Sequence, residues 1–298
     1  MSDDLTRILI ISDGKAGHLN QSLGLAEALA KQRPGVEIEQ MLPFSRLQVL
    51  FGLLFGRCQF LENKPDLVIG AGHGTHLTLL TLKRCWHLPV MLLMKPSIPM
   101  QFFDLCLIPE HDQPPKRANV IVTRGALNRV RPATKQAGTG IILIGGPSKN
   151  SDWDKARLIR QLEALVRSDP RSWLMTTSRR TPASTVEALG HINGIELFPV
   201  EETDAGWLPE MLASAEHCWV TEDSVSMIYE ALSAGCSVGV FEVPWRSEGR
   251  LPKGVNKLKK QGFLTPFERW PGKPLPPLDH RFNEAERCAK KIIERGLL

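Results

Sequence analysis

The chain of 298 residues predicts an α/β protein made of two Rossmann-like, doubly wound parallel-sheet domains. Three observations predict it. Short apolar runs are continuous rather than alternating, as in strands covered on both faces. Segments with helical period separate them, entered through turns rich in Gly or polar residues. The pattern then restarts after RPATKQAGTG (131–140), a polar stretch without period that reads as a linker. The expected domains are 1–134 and 135–280, followed by a closing helix over 281–298 that is free to cross back to the first domain.

In the first domain, Arg7–Ser12 is a strand, Asp13–His18 a loop and Asn20–Lys31 a helix with Leu19, Leu23, Ala26 and Ala30 on one stripe; Pro34-Gly35 ends it. Asp66–Gly70 is the next strand, Ala71–Gly74 a loop and Thr75–Trp86 a helix. Val90–Met94, Leu105–Ile108 and Val120–Val122 are further strands. In the second domain, strands are expected over Ile141–Ile144, Ser172–Thr176, Ile195–Val200 and Cys218–Val220. Helices are expected over Trp153–Arg167, Ser184–Leu189 and Leu208–Ala213, and from Asp223 or Ser224 to Ala234. Five prolines mark 266–280 as a surface connector, and Asn283–Leu298 is a basic helix.

Composition bounds the function. A hydrophobic fraction of 42% and a charged fraction of 23% fit a soluble globular protein. A net charge of +5 suits phosphate-bearing ligands or an anionic membrane surface and is too weak to argue for nucleic acid. The six cysteines (58, 85, 106, 218, 236 and 288) form no CxxC pair or zinc spacing, so a reduced, intracellular protein is expected. MSDDLTRILIIS is acidic, and its apolar run is too short for a signal peptide. No spanning helix is expected.

Ligands of such sheets bind beyond the carboxyl ends of the strands, so the loops directly after strands matter most. SDGKAGH places Gly14 and Gly17 before a helix start, where backbone amides suit an anion, and His18 at its lip as a candidate general base; a plain turn with a packing histidine is the bland alternative. GAGHGTH holds His73 and His76 at HxxH spacing; a metal site would need a third ligand, for which the His111-Asp112 pair is the nearest candidate, so a pocket lining is the better expectation. In GGPSKN, Gly145 and Gly146 permit close approach of a phosphate to which Ser148 and Lys149 donate. TTSRRTP places Arg179 and Arg180 for contact with a diphosphate. In VTEDSVSMIYEALSAG, Val225, Ile228 and Leu232 share a core stripe, while Glu230 lies away from it on the side of Ser226. The helix start thus offers amides and hydroxyls to a phosphate, and Glu230 a carboxylate to sugar hydroxyls. Asp152-Trp153-Asp154 has DxD spacing but opens a helix without a flanking strand.

SDGKAGHLNQSLGLAEAL, FFDLCLIPEHD, GGPSK, TTSRRTP and VTEDSVSMIYEALSAG, in that order, resemble the family named for a mitochondrial-fission (elongated-mitochondria) protein, and more broadly the GT-B glycosyltransferases. The resemblance covers nearly the whole chain. It implies a nucleotide-diphosphate sugar held by the second domain, with Glu230 on the ribose and Asp223, Ser224 and Ser226 meeting phosphate or sugar. Gly145, Gly146, Ser148, Lys149, Arg179 and Arg180 then line the diphosphate. Asp13, Gly14, Gly17, Gly72 and His73 belong to the acceptor-side loops, with His18 near the reacting centre. It implies no metal and no cofactor besides that co-substrate. The acceptor is expected to be a lipid-linked or envelope glycan, reached by a cytoplasmic protein that is peripheral on the inner face of the membrane. The long base-recognition loops of larger relatives have no counterpart. A non-catalytic scaffold is the alternative. An epimerase on the same fold would need acid/base carboxylates, for which Asp13 and Glu110 are the only candidates.

LQVLFGLLFGR (47–57), with Arg46 and Arg57 at its ends, reads as a buried helix; the alternative is a segment resting on a membrane surface. WRSEGRLPKGVNKLKK (245–260) reads as a solvated basic face or a collector of anionic lipid or phosphate.

Overall fold

A computed structural model describes residues 5–58, 61, 63–278 and 282–298. The chain divides into two compact units, Met1–Arg129 with Glu284–Leu298, and Val130–Asn283. Each contains a six-stranded sheet in which every pairing is parallel.

The first unit contains β1 (Thr6–Ile11), α1 (Ala16–Gln32), β2 (Val36–Met41), α2 (Arg46–Phe55), β3 (Leu67–Ala71), α3 (His76–Trp86), β4 (Val90–Leu93), β5 (Leu105–Pro109) and β6 (Val120–Thr123). Its sheet order is β2-β1-β3-β4-β5-β6. Strands β3, β4 and β5 are buried at every position, which is why their sequences are uninterruptedly apolar. Ile8 and Ile10 pack with α1 on one face, while Leu9 and Ile11 pack on the other with Val49 of α2 and with Leu79 and Leu82 of α3.

The second unit contains β7 (Gln136–Leu143), α4 (Lys155–Ser168), β8 (Ser172–Thr176), α5 (Ala183–Leu189), β9 (Ile195–Phe198), α6 (Trp207–Ser214), β10 (Ala215–Thr221), α7 (Val225–Ala234), β11 (Ser237–Phe241), α8 (Arg250–Lys260) and β12 (Thr265–Pro266). Its order is β12-β11-β10-β7-β8-β9. One face packs Ile141, Leu143, Cys218 and Val220 against α6, α7 and α8; the other packs Ile142, Trp173 and Trp219 against α4 and α5. The final helix, α9 (Glu284–Glu294), returns to the first unit. There Cys288, Ala289 and Ile292 are fully buried in the α1 core, and the Arg124 amide donates to Glu284 at 2.8 Å.

The fold class is the one expected, and several local expectations change. The division falls at 129/130 rather than 134/135, and β7 begins inside the supposed linker, where Gln136 pairs with Ala215. The first residues of β7 are exposed, so nothing requires them to be apolar. β2 was not expected. It is an edge strand with exposed Glu37 and Glu39, and its polarity hides it. The proline-rich connector is not all surface. β12 pairs with β11, Phe267 and Trp270 pack edge-on against Trp219, and Leu275 is buried; its positions 279 and 280 lie outside the described residues. The basic 245–260 stretch contains α8, which buries Pro252, Val255 and Leu258.

Helix α2 also corrects its expectation. Ser45 and Gln48 form a capping box and Gly56 closes the helix in the left-handed region, yet only Val49 and Gly52 are buried. Gly52 lies so close to α3 that an added Cβ would stand 2.3 Å from the Thr81 methyl. The two helices meet along that narrow contact, which leaves most of the apolar surface of α2 outside.

Candidate functional site

In the second unit, β7 and β10 are neighbours in the sheet although not in sequence, so their connections diverge and the loops after β7, β8 and β10 converge there. The Gly145 amide donates to Thr221 Oγ1 at 2.7 Å, and the Gly146 amide to Asp223 Oδ2 at 3.0 Å. Arg180 donates to the same Asp223 oxygen at 2.9 Å and to the Gly146 carbonyl at 2.5 Å. Thr181 Oγ1 donates to the Gly145 carbonyl at 2.6 Å. The Asp223 side chain is 0% exposed, while that of Arg180 is 40% exposed. The buried carboxylate pins the inner edge of the guanidinium and leaves an outer edge for an anion.

This arrangement revises the sequence assignments. The amides of Gly145 and Gly146 are engaged by Thr221 and Asp223, so they do not themselves cradle a phosphate. Asp223 serves the loops rather than capping α7. Ser224 occupies the N-cap position and makes no side-chain cap bond. The amides of Val225, Ser226 and Met227 are therefore the orphan donors of a helix start, beside an exposed Ser226. Glu230 is half-buried one turn beyond Ser226. Arg179 and Lys149 are exposed. Ser148 is used locally, meeting Ser151 Oγ at 2.8 Å and accepting from the Asn150 amide at 3.1 Å. Asp154 caps α4 by accepting from the Arg157 amide at 2.9 Å, and Asp152 accepts from Arg246 at 2.7 Å, so DxD is structural.

A cluster behind this loop was not legible in the sequence. Glu222 is 3% exposed; it accepts from Trp245 Nε1 at 3.0 Å, and Lys259 Nζ lies 2.6 Å from its other oxygen. Lys259 also reaches Glu242 at 3.2 Å. Burial raises the Glu222 carboxyl above its ordinary value, against the opposing pull of Lys259 and Trp245. Lys259 reads in sequence as one more cation of a basic run, and only its inward direction on α8 reveals the pair. A depression of about 480 Å³ beside Arg157, Arg160, Gln161, Phe267 and Glu268 includes none of the loop residues named above.

The first unit has its own switch point, between β1 and β3. Helix α1 begins at Ala16, so Gly17 and His18 stand in its first turn rather than in a loop. His18 Nδ1 lies 3.0 Å from both carboxylate oxygens of Asp13, and the Lys15 amide donates to Asp13 at 3.3 Å. Burial alone would raise the Asp13 carboxyl; the hydrogen bond and charge of His18, with the amide and charge of Lys15, outweigh it and hold the group below its ordinary value. Gly72 has φ +80°, and an added Cβ would stand 2.3 Å from His18 Cε1, so this glycine is what lets the imidazole lie on the β3 loop. A histidine whose Nδ1 faces a carboxylate presents Nε2 outward, the arrangement of an oriented general base.

Gly14, at φ +80°, makes the turn before α1. His73 is exposed and meets the buried His76 edge-on at 5.6 Å; His76 lies 3.4 Å from Ser97 Oγ. Among the described residues, no three His, Cys, Asp or Glu gather as a metal site would require. Glu110 is half-buried in the turn after β5.

The profile of the family described as Mitochondrial fission ELM1 matches residues 16–296. The chain is 23% identical over 352 residues to the uncharacterized protein RP120 of Rickettsia prowazekii (strain Madrid E), covering 96% of this chain and 97% of that one. Among solved structures it resembles the UDP-GlcNAc 2-epimerase of Methanocaldococcus jannaschii, with TM-score 0.60, 11% identity and 97% and 99% of the two chains covered. It also resembles the E. coli heptosyltransferase WaaC with ADP, with TM-score 0.52, 13% identity and 97% and 99% covered. Likeness at such identity shows the fold, which is the GT-B type of two Rossmann-like domains. With nearly all of its length matched, the chain belongs to the Mitochondrial fission ELM1 family.

Proposed function

We propose that the protein is a glycosyltransferase that moves a sugar from a nucleotide-diphosphate sugar to a lipid-linked or other cell-envelope glycan acceptor, working as a cytoplasmic protein peripheral to the membrane. The observation that carries this reading is the uncapped start of α7 beside Arg180, whose guanidinium Asp223 holds at 2.9 Å. A helix start and a pinned arginine suit a diphosphate, and Glu230 suits the ribose hydroxyls. In this reading the α7 amides, Arg180 and exposed Arg179 stabilise the negative charge that develops on the leaving diphosphate. His18, oriented by Asp13, takes the proton of the acceptor hydroxyl as its oxygen bonds to the anomeric carbon and the bond to the diphosphate breaks.

The test is thermal-shift titration with UDP-, GDP-, ADP- and CMP-linked sugars, on the wild type and on Glu230→Ala. Stabilisation by one nucleotide that the variant loses supports the donor site and identifies the base. No stabilisation by any of them sinks the reading and leaves a scaffold that keeps the fold without the activity.

A further inference from the structure

Helix α2 has the apolar pattern of a core helix pointed the wrong way. Leu47, Leu50, Phe51, Leu54 and Phe55 fall at i, i+3, i+4, i+7 and i+8, the spacing of a single stripe. In the fold that stripe faces outward: Leu47 is 78% exposed, Leu54 and Phe55 64% each. Together with Gln48 these side chains border an open apolar groove of about 410 Å³. Leu77 of the adjoining α3 is exposed as well. Contiguous exposed apolar surface of this kind marks an interaction site.

The charges around the stripe identify its partner. Arg46 opens α2, Arg57 follows its C-cap, and Arg84 of α3 donates to the Leu53 carbonyl at 2.7 Å. The sequence contains no Asp or Glu from 40 to 61 or from 67 to 103, so neither helix brings a carboxylate to this face. Lys83, the other cation of α3, is paired with Asp104 at 2.8 Å. An apolar stripe rimmed by arginines complements a bilayer interface carrying anionic headgroups, with the hydrocarbon side taking Leu and Phe and the headgroups taking guanidinium. A second copy of the chain complements it poorly, because a two-fold contact would set like-charged rims against each other without a carboxylate on either side. At ten residues α2 is too short to span a membrane, and among the described residues no helix is long and apolar enough to do so.

We infer that the exposed face of α2 is a membrane-docking surface that inserts Leu47, Leu50, Leu54 and Phe55 shallowly into an anionic phospholipid leaflet. This deepens the peripheral location proposed above. The test contains no nucleotide, so its failure leaves the donor reading standing.

The experiment is flotation of the purified full chain with phosphatidylcholine vesicles, with and without phosphatidylglycerol. Three forms are compared: wild type, Leu54→Ser with Phe55→Ser, and Arg46→Gln with Arg57→Gln. Wild type is expected to float with the phosphatidylglycerol vesicles. The apolar double variant should lose at least about tenfold in partitioning. The arginine variant should lose roughly fivefold per residue and show a weaker salt dependence. Unchanged thermal midpoints show that the variants, altered only at exposed side chains, are folded. Wild type remaining unbound with both vesicle types overturns the proposal, and so do variants that float as well as wild type. A concentration-dependent dimer that the apolar variant abolishes, without flotation, also overturns it and assigns the face to a second copy.

Discussion

His18 and Asp13 are five residues apart, close enough for a turn and one helical turn to bring Nδ1 to 3.0 Å from both carboxylate oxygens. If His18 is the base proposed here, His18→Ala lowers kcat roughly 10²- to 10⁴-fold with donor affinity unchanged, as steady-state kinetics with the identified sugar would show. Asp13 also carries a stability signature. Its folded carboxyl sits below the ordinary 3.8, so the ionised group stabilises the fold above that value, and the contribution disappears as pH falls through the lower, folded value. Asp13→Asn should therefore destabilise at neutral pH and converge with wild type in acid, as urea titrations across pH would report. His217 runs on a different window. It is buried beneath the Leu275 amide, which donates to its Nδ1 at 3.3 Å, and burial with the nearby Arg171 charge lowers it to about 4. The neutral ring is the stable form, so stability is complete above 6.5 and declines as pH falls from there toward 4. The loss approaches about 3 kcal/mol at the acid end, at roughly 1.4 kcal/mol per unit, and His217→Gln should flatten that slope. Residue identity alone suggested His18 and was silent on Asp13 as its partner, because a spacing of five fixes no contact until the turn geometry is set, and on Glu222, because contacts made across loops leave no local pattern.

At the scale of elements, α2 and α7 show how far periodicity carries. The stripe of α7 was read from spacing, and Ile228 and Leu232 are indeed fully buried. The same reasoning applied to α2 expected a buried helix and met an exposed one, since spacing reveals that an apolar face exists and not what covers it. Gly52, not the stripe, seats α2 on α3. Gly52→Val should cost about 1–3 kcal/mol in chemical denaturation, because Thr81 is β-branched, hydrogen-bonded to Leu77 at 2.8 Å and unable to yield. The exposed Leu54→Ser should change stability by less than about 0.5 kcal/mol. The candidate diphosphate site was half legible. The helix start and Arg180 were singled out by their place after strands. The use of the Gly145 and Gly146 amides by Thr221 and Asp223 was not, since a glycine that admits a ligand and one that admits a neighbouring loop read alike.

For the whole molecule, the helix last in sequence completes the unit that is first. Removing 284–298 would uncover the α1 core around Leu25 and Leu29, and burial of Ile292 alone is worth about 1.5–3 kcal/mol against a typical net stability of about 5–15 kcal/mol. The truncated chain is expected to lose the protection of residues 16–41 in hydrogen exchange while β7 to β11 stay protected; uniform protection would contradict the assigned role of α9. Taken alone, the sequence determined the fold class, most strands and helices, the loops that follow the strands and the family, because those are written in local periodicity, turn chemistry and ordered motifs. Tertiary structure alone decided strand order, and so which loops share a switch point. It also decided that Asp13 holds His18, that Asp223 holds Arg180, and that the apolar face of α2 stays outside. The Asp13–His18 contact is set locally by how the loop after β1 enters α1, whereas the others depend on which surfaces the parallel sheets bring together, and residues far apart along a chain carry no mark of their partners until the sheet is assembled.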